Sequence, residues 1–231
     1  MRYSLKLITF ASVLLFTFPL QAVVTNGLSV AREEVKVAQG KTREQRRNEA
    51  LRLNKLGLQQ LDRGKYREAL KNFEQALVIV REIEERKDEG TTLNNIGNVY
   101  HNSGEYKKAL DYYQQALAID KQIVDKVGES ITLNNIGEVY RELGEYAKAL
   151  DYYQQSLAID KQIDDKAGES ISLNNIGGIY RELGKYTKEL DYFQQSLAID
   201  KQLGDKAGEG ITLGNIGVVY RYLGEYKKAL D

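Results

Sequence analysis

Gly128-Glu-Ser-Ile-Thr-Leu-Asn-Asn-Ile-Gly137 decides the fold, because nearly the same ten residues return at 168–177 and, more loosely, at 208–217. The step is 40 residues each time, and 31 of the 40 positions in 128–167 are identical in 168–207. Looser copies begin near Asp88 and Asn48. A fixed period of this length marks a repeat architecture, so the unit must be read before the whole. Within the unit Leu133, Ile136, Gly137 and Tyr140 fall at i, i+3, i+4 and i+7, one stripe of an α-helix. Asp125 is placed to cap this helix, with Lys126 in its first turn. Gly144 is placed to end it with a positive-φ residue. A second stripe follows in Tyr146, Ala149, Leu150, Tyr153 and Leu157, closed by a glycine or Asp pair, most clearly Gly204-Asp205. Each copy therefore reads as an antiparallel helix pair. Gly137 and Ala149 lack bulk where the helices would cross. One pair cannot bury its stripe alone, but stacked pairs bury a continuous core. The expected fold is all-α, a solenoid of antiparallel helix pairs.

Composition agrees with helices separated by glycine punctuation: 20 Gly, and one Pro, Pro19, in 231 residues. Thirty-three basic residues balance 33 acidic ones. No excess cation is left for a nucleic-acid backbone or an anionic lipid surface. The absence of Cys removes disulfides and thiol chemistry, and the single His101 makes a His-based zinc site a poor reading. A nucleophile needs an adjacent base, and one isolated imidazole does not provide a catalytic pair. No cofactor is expected.

The first 22 residues differ from the rest. Arg2 and Lys6 precede an uncharged run, Leu7 to Leu20, and Leu20-Gln21-Ala22 offers a cleavage site. The run is shorter than the ~20 residues a span requires, which is the pattern of a secretory leader. Export is the expectation, with an uncleaved membrane anchor as the alternative. Residues 23–44 then form a linker or N-terminal extension. Repeat copies follow at about 45–85, 86–124, 125–164, 165–204 and an incomplete 205–231. That incomplete copy suggests a fragment of a longer chain and self-association through an open repeat end.

These residues resemble the tetratricopeptide repeat. Copy two shows Leu93, Ile96, Gly97, Tyr100, Gly104, Tyr106, Ala109 and Tyr113 in that family's order. The next copies give Leu133, Ile136, Gly137, Tyr140, Ala149 and Tyr153, then Leu173, Ile176, Gly177, Tyr180 and Phe193; copy one gives Leu53, Leu56, Gly57, Ala69 and Phe73. The family's closing Pro is missing, and Lys121, Lys161 and Lys201 stand in its place. The second helix can then run on, which accounts for the long period. It also looks like the longer repeats of kinesin light chains and Pins-type scaffolds. Similar bacterial arrays are sometimes fused to caspase-like peptidase domains. Gln60 in place of the aromatic and Glu189 in place of Ala suggest weaker seams in copies one and four.

The resemblance implies a right-handed superhelical solenoid with a concave groove lined by the first helix of each pair, on the face opposite the core stripe. There the sequence sets Asn94, Asn95 and Asn98, then Asn134, Asn135 and Glu138, then Asn174 and Asn175, and last Asn215. Asn is a mediocre helix former, so its return at fixed places needs a reason. A ladder of amides would suit the backbone of an extended peptide. Hydrogen bonding between neighbouring repeats, or simple inheritance by duplication, would leave the same pattern. Arg141 and Arg181 recur near the groove edge and could meet acidic side chains, although Glu142 and Glu182 partly cancel them. The expected function is a scaffold binding a protein or extended peptide. The alternative is the targeting arm of a larger enzyme, such as a caspase-like peptidase.

Overall fold

The computed structural model describes residues 42–229. The proposed leader and most of the proposed linker lie outside them. From Glu49 onward the chain forms one compact unit. A helix over 42–62 (α1) is followed by α2 (Tyr66–Glu82), α3 (Arg86–Asn102), α4 (Tyr106–Gln122) and α5 (Lys126–Glu142). Then come α6 (Tyr146–Gln162), α7 (Lys166–Glu182), α8 (Tyr186–Leu203) and α9 (Lys206–Tyr222). No strand occurs among the described residues. Each helix packs on the next, and first helices of adjacent repeats also touch, α3 with α5 and α5 with α7. This is an all-α repeat array of helix pairs. Both helices of a pair are 17 residues long in the second and third repeats. The second helix continues through Lys121 and Lys161, where a proline would have broken it.

The helix ends follow local chemistry. Asp125, Asp165 and Asp205 cap α5, α7 and α9 by accepting from the backbone N–H groups of Gly128, Gly168 and Gly208. Gly144 sits at φ 72°, and Glu145 N donates to Tyr140 O at 2.8 Å, closing α5 in a left-handed turn. Closure of the second helices departs from the expected glycine. Only Gly204 supplies one; Glu84, Val124 and Asp164 hold the same turn at φ 56°, 58° and 56°. The turn is imposed by the stacking that follows it, so it forms even on a β-branched valine.

Inside each pair the small first-helix glycine meets an aromatic ring. A Cβ on Gly137 would lie 2.8 Å from the ring of Tyr153, and Gly57, Gly97 and Gly177 stand in the same way against Phe73, Tyr113 and Phe193. All four rings are buried. Ala149, also buried, packs beside Tyr153 with Ile176 and Ile179 of the next helix. The other tyrosine of each pair is half-buried: Tyr112, Tyr152 and Tyr192 stack on Tyr100, Tyr140 and Tyr180 with centroids 5.3–5.4 Å apart. Gln60 and Asn72 occupy those places in the first repeat, where Gln60 Oε1 is buried without a partner.

Candidate functional site: the face of the first helices

The face predicted to line a groove carries two cavities. One, of about 340 Å³, lies between α3 and α5 and takes in Asn94, Asn95, Asn98 and Asn135. The other, of about 440 Å³, lies between α7 and α9 and takes in Asn174, Asn175 and Asn215. Ile131 stands at the first, Ile171 and Ile211 at the second, each more than half exposed. Positions 131, 171 and 211 therefore present an apolar side chain to solvent at a fixed place on three successive repeats, while Thr91 holds that place in the second.

The asparagines are bonded across the repeats. Asn94 Nδ2 donates to Thr132 Oγ1 at 2.7 Å, and Asn54 Nδ2 likewise to Thr92 Oγ1 at 2.9 Å. Asn134 Nδ2 reaches Ser156 and Ser172 at 2.5 and 3.1 Å, and Asn174 Nδ2 reaches Ser196 and Thr212 at 2.5 and 3.1 Å. The second asparagine of a pair then donates backwards: Asn135 to Asn94 Oδ1 at 2.8 Å, Asn175 to Asn134 Oδ1 at 3.1 Å. Among the residues described, these two rungs are closed and two are open, since Asn54 Oδ1 and Asn174 Oδ1 are buried without a partner. Inter-repeat bonding thus occupies Asn94, Asn134 and Asn174, while Asn95 and the Nδ2 of Asn215 donate to no described residue.

The charged candidates are paired within the chain. Arg141 bonds both oxygens of Glu138 and also Glu142. Glu138 further accepts from Tyr153 Oη at 2.7 Å. Burial would raise the Glu138 carboxyl, but the bonds from Arg141 and Tyr153 outweigh it and hold it below the ordinary range. In the second repeat Asn98 Oδ1 takes the place of Glu138, accepting from Tyr113 Oη at 2.6 Å. In the fourth repeat the equivalent residue is Gly178, and the ring beneath it, Phe193, carries no hydroxyl. Leu58 and Phe73 repeat that combination in the first. The ring is a tyrosine where the first helix offers an acceptor and a phenylalanine where it offers none, as expected if a buried phenol must find a partner. Glu189, expected to loosen its seam, is fully buried and binds Arg181 Nε at 2.5 Å. The guanidinium also lies 5.4 Å from the Phe193 ring centroid and donates to Asn215 Oδ1 at 3.4 Å. Glu189 Oε2 is left without a partner, and burial raises that carboxyl.

A buried acidic seam accompanies the amides. Asp120, Asp160 and Asp200 lie on α4, α6 and α8 and are at most 4 % exposed. Thr132, Ser172 and Thr212 of the following repeat donate to them at 3.0, 2.9 and 2.9 Å. Ser130 and Ser170 add a second hydroxyl to Asp160 and Asp200. Gly90 replaces that serine in the second repeat, leaving Asp120 one hydroxyl donor, and burial pushes its carboxyl up to about 6. Gly128, Gly168 and Gly208 make room for the three carboxylates, which lie within 3.1 Å of where a Cβ would stand. Sequence reasoning passed over these acids, although Tyr113, Ala116 and Asp120 continue one helical stripe at i, i+3 and i+7.

Among the described residues no cluster of three metal-ligating side chains occurs, and no helix is long and apolar enough to cross a membrane. No curated protein matches the chain. Solved structures share its fold. BtubC from P. vanneervenii superposes with a TM-score of 0.73 at 21% identity, covering 87% of this chain and 84% of that one. A putative kinesin light chain from Podosopora anserina with nearly identical TPR-like repeats gives 0.62 at 16%, covering 77% and 88%. A Rap protein complexed with competence and sporulation factor gives 0.70 at 18%, covering 79% of this chain and 51% of that one. The family model described as tetratricopeptide repeat matches residues 48–122 and 128–202, most of the array. With four glycine–aromatic helix pairs stacked at a 40-residue step, the chain belongs to the tetratricopeptide repeat family.

Proposed function

We propose that the array is an interaction scaffold that holds a segment of a partner protein, in extended form, along the face of its first helices. The observation that carries this is the pair of cavities between neighbouring first helices, each with exposed isoleucine beside amide groups. Apolar side chains with a few polar anchors are the usual lining of a binding site. A fixed step between them suits a chain that binds at intervals. The similar fold of a Rap protein found in complex with a signalling factor is consistent with such use. The seam amides serve here to stiffen the face, and Asn95 and Asn215 are the amides that meet the ligand.

The test replaces Ile171 and Ile211 together with Asp. They are 56% and 66% exposed, so the helix pair should melt as before. Dodecapeptides selected from a random displayed library against the full chain should bind the variant at least tenfold more weakly. Undiminished binding would locate the ligand elsewhere. Export belongs to the same reading: Arg2, Lys6 and the apolar run to Leu20 support a leader removed after Ala22. Exported protein should begin at Val23 on N-terminal sequencing; a membrane-bound protein retaining Met1 would make the run an anchor.

A further inference from the structure

The third and fourth repeats are the same unit with a few coupled changes, and one of them leaves a gap. Glu138, Ala149 and Tyr153 of the third become Gly178, Glu189 and Phe193 of the fourth. In the third, Arg141 is bonded by two carboxylates, those of Glu138 and Glu142. In the fourth, Arg181 is bonded by one, that of Glu189, which approaches through Nε from the core side. The place over the helix where Glu138 stood is vacant, because a Cβ at Gly178 would meet nothing within 4 Å. No phenol competes for that space, since Phe193 lacks the hydroxyl that Tyr153 gives to Glu138. The Arg181 side chain remains 28% exposed, and among the described residues its donors beyond Nε make only the long contact to Asn215.

We propose that the gap over Gly178 receives a carboxylate of the bound partner, which accepts from the Nη groups of Arg181, the Nε being held by Glu189. The occupant is an Asp or Glu side chain of the segment lying on the face, and the inference rests on the groove reading above. In the third repeat one guanidinium holds two carboxylates at once, and Glu189, bound at Nε, leaves the Nη groups of Arg181 for a second. A guanidinium fork is also the donor set best matched to a carboxylate. The acid would dock beside the larger cavity, whose Asn215 already touches Arg181.

Dodecapeptides selected from a random displayed library on the full chain provide the probe. Gly178→Glu rebuilds the third repeat's carboxylate within the chain, and Gly178→Ala adds bulk without charge. Selected peptides should share an acidic residue, lose at least tenfold in affinity when it becomes Asn or Gln, lose as much on Gly178→Glu, and bind Gly178→Ala nearly as the parent does. Peptides that bind Gly178→Glu and the parent equally overturn this assignment while leaving the groove standing. Equal losses on Gly178→Ala and Gly178→Glu overturn it too, since bulk and not charge would then explain the effect. A library that yields no binder overturns the groove reading with it.

Discussion

Replacing Asp120 with Asn should change how the array responds to acid. Asp120 is 4% exposed and accepts one hydroxyl bond, from Thr132 at 3.0 Å. Groups facing it from α3 and α5 largely offset one another, Lys87 being attractive and Asp125 and Glu129 repulsive, so burial sets the direction. Its carboxyl moves from 3.8 to about 6. Each pKa unit corresponds to about 1.4 kcal/mol, so the folded state favours the protonated form by about 3 kcal/mol. A pKa raised by folding contributes stability that is full below the unfolded value and lost as pH rises through the folded one. The native chain should therefore lose about 3 kcal/mol from this group between pH 4 and pH 6–7. Asparagine keeps the acceptor for Thr132 and has no proton to lose. Urea unfolding of both proteins from pH 4 to 7.5 gives the difference curve, in which other carboxylates cancel. The variant should gain about 1–3 kcal/mol on the parent across that window, most of it by pH 7. A flat difference curve, or a variant that falls further behind as pH rises, would refute the assignment of a buried, destabilising charge at this seam.

Val124→Gly should raise stability by about 0.5–1 kcal/mol in thermal melts. The left-handed turn costs an L-residue about 1–2 kcal/mol, and the larger freedom of unfolded glycine takes back part of the gain. Val124 is 70% exposed, so little packing is forfeited. Gly137→Ala should cost about 1–3 kcal/mol in urea unfolding, because its Cβ would stand 2.8 Å from a Tyr153 ring that has no free space to move into.

The period and its two apolar stripes were enough to read the helix pairs, and capping by Asp125 was legible because that interaction is local. Closure of the second helices was not. Nothing in the residues at Glu84 or Val124 asks for a positive φ; stacking of the next repeat imposes it. The candidate site divides in the same way. That the asparagines share one face follows from helical geometry. Which of them are consumed by the seam depends on residues 38 and 41 positions away, such as Thr132 for Asn94 and Asn94 for Asn135. The carboxylates that pair with Arg141 and Arg181 were hidden for the same reason. Arg141 is answered on its own helix by Glu138, but Arg181 by Glu189 of the next, where the family's alanine was expected. A carboxylate at an alanine position reads as a packing fault until its partner is placed.

Because every seam bond joins residues at a constant separation, the array is indifferent to how many units it contains. Asn94 finds Thr132 as Asn134 finds Ser172 and Asn174 finds Thr212, always 38 residues on. The aromatic ring and its hydroxyl acceptor, by contrast, lie within one unit, 15 residues apart in Asn98–Tyr113 and Glu138–Tyr153. A 40-residue segment of the gene duplicated or deleted in frame would therefore carry its internal match with it and meet a compatible neighbour on either side. Recombination between near-identical copies can then lengthen or shorten the array one step at a time. The differences that distinguish units, as Gly178, Glu189 and Phe193 do, travel as a set.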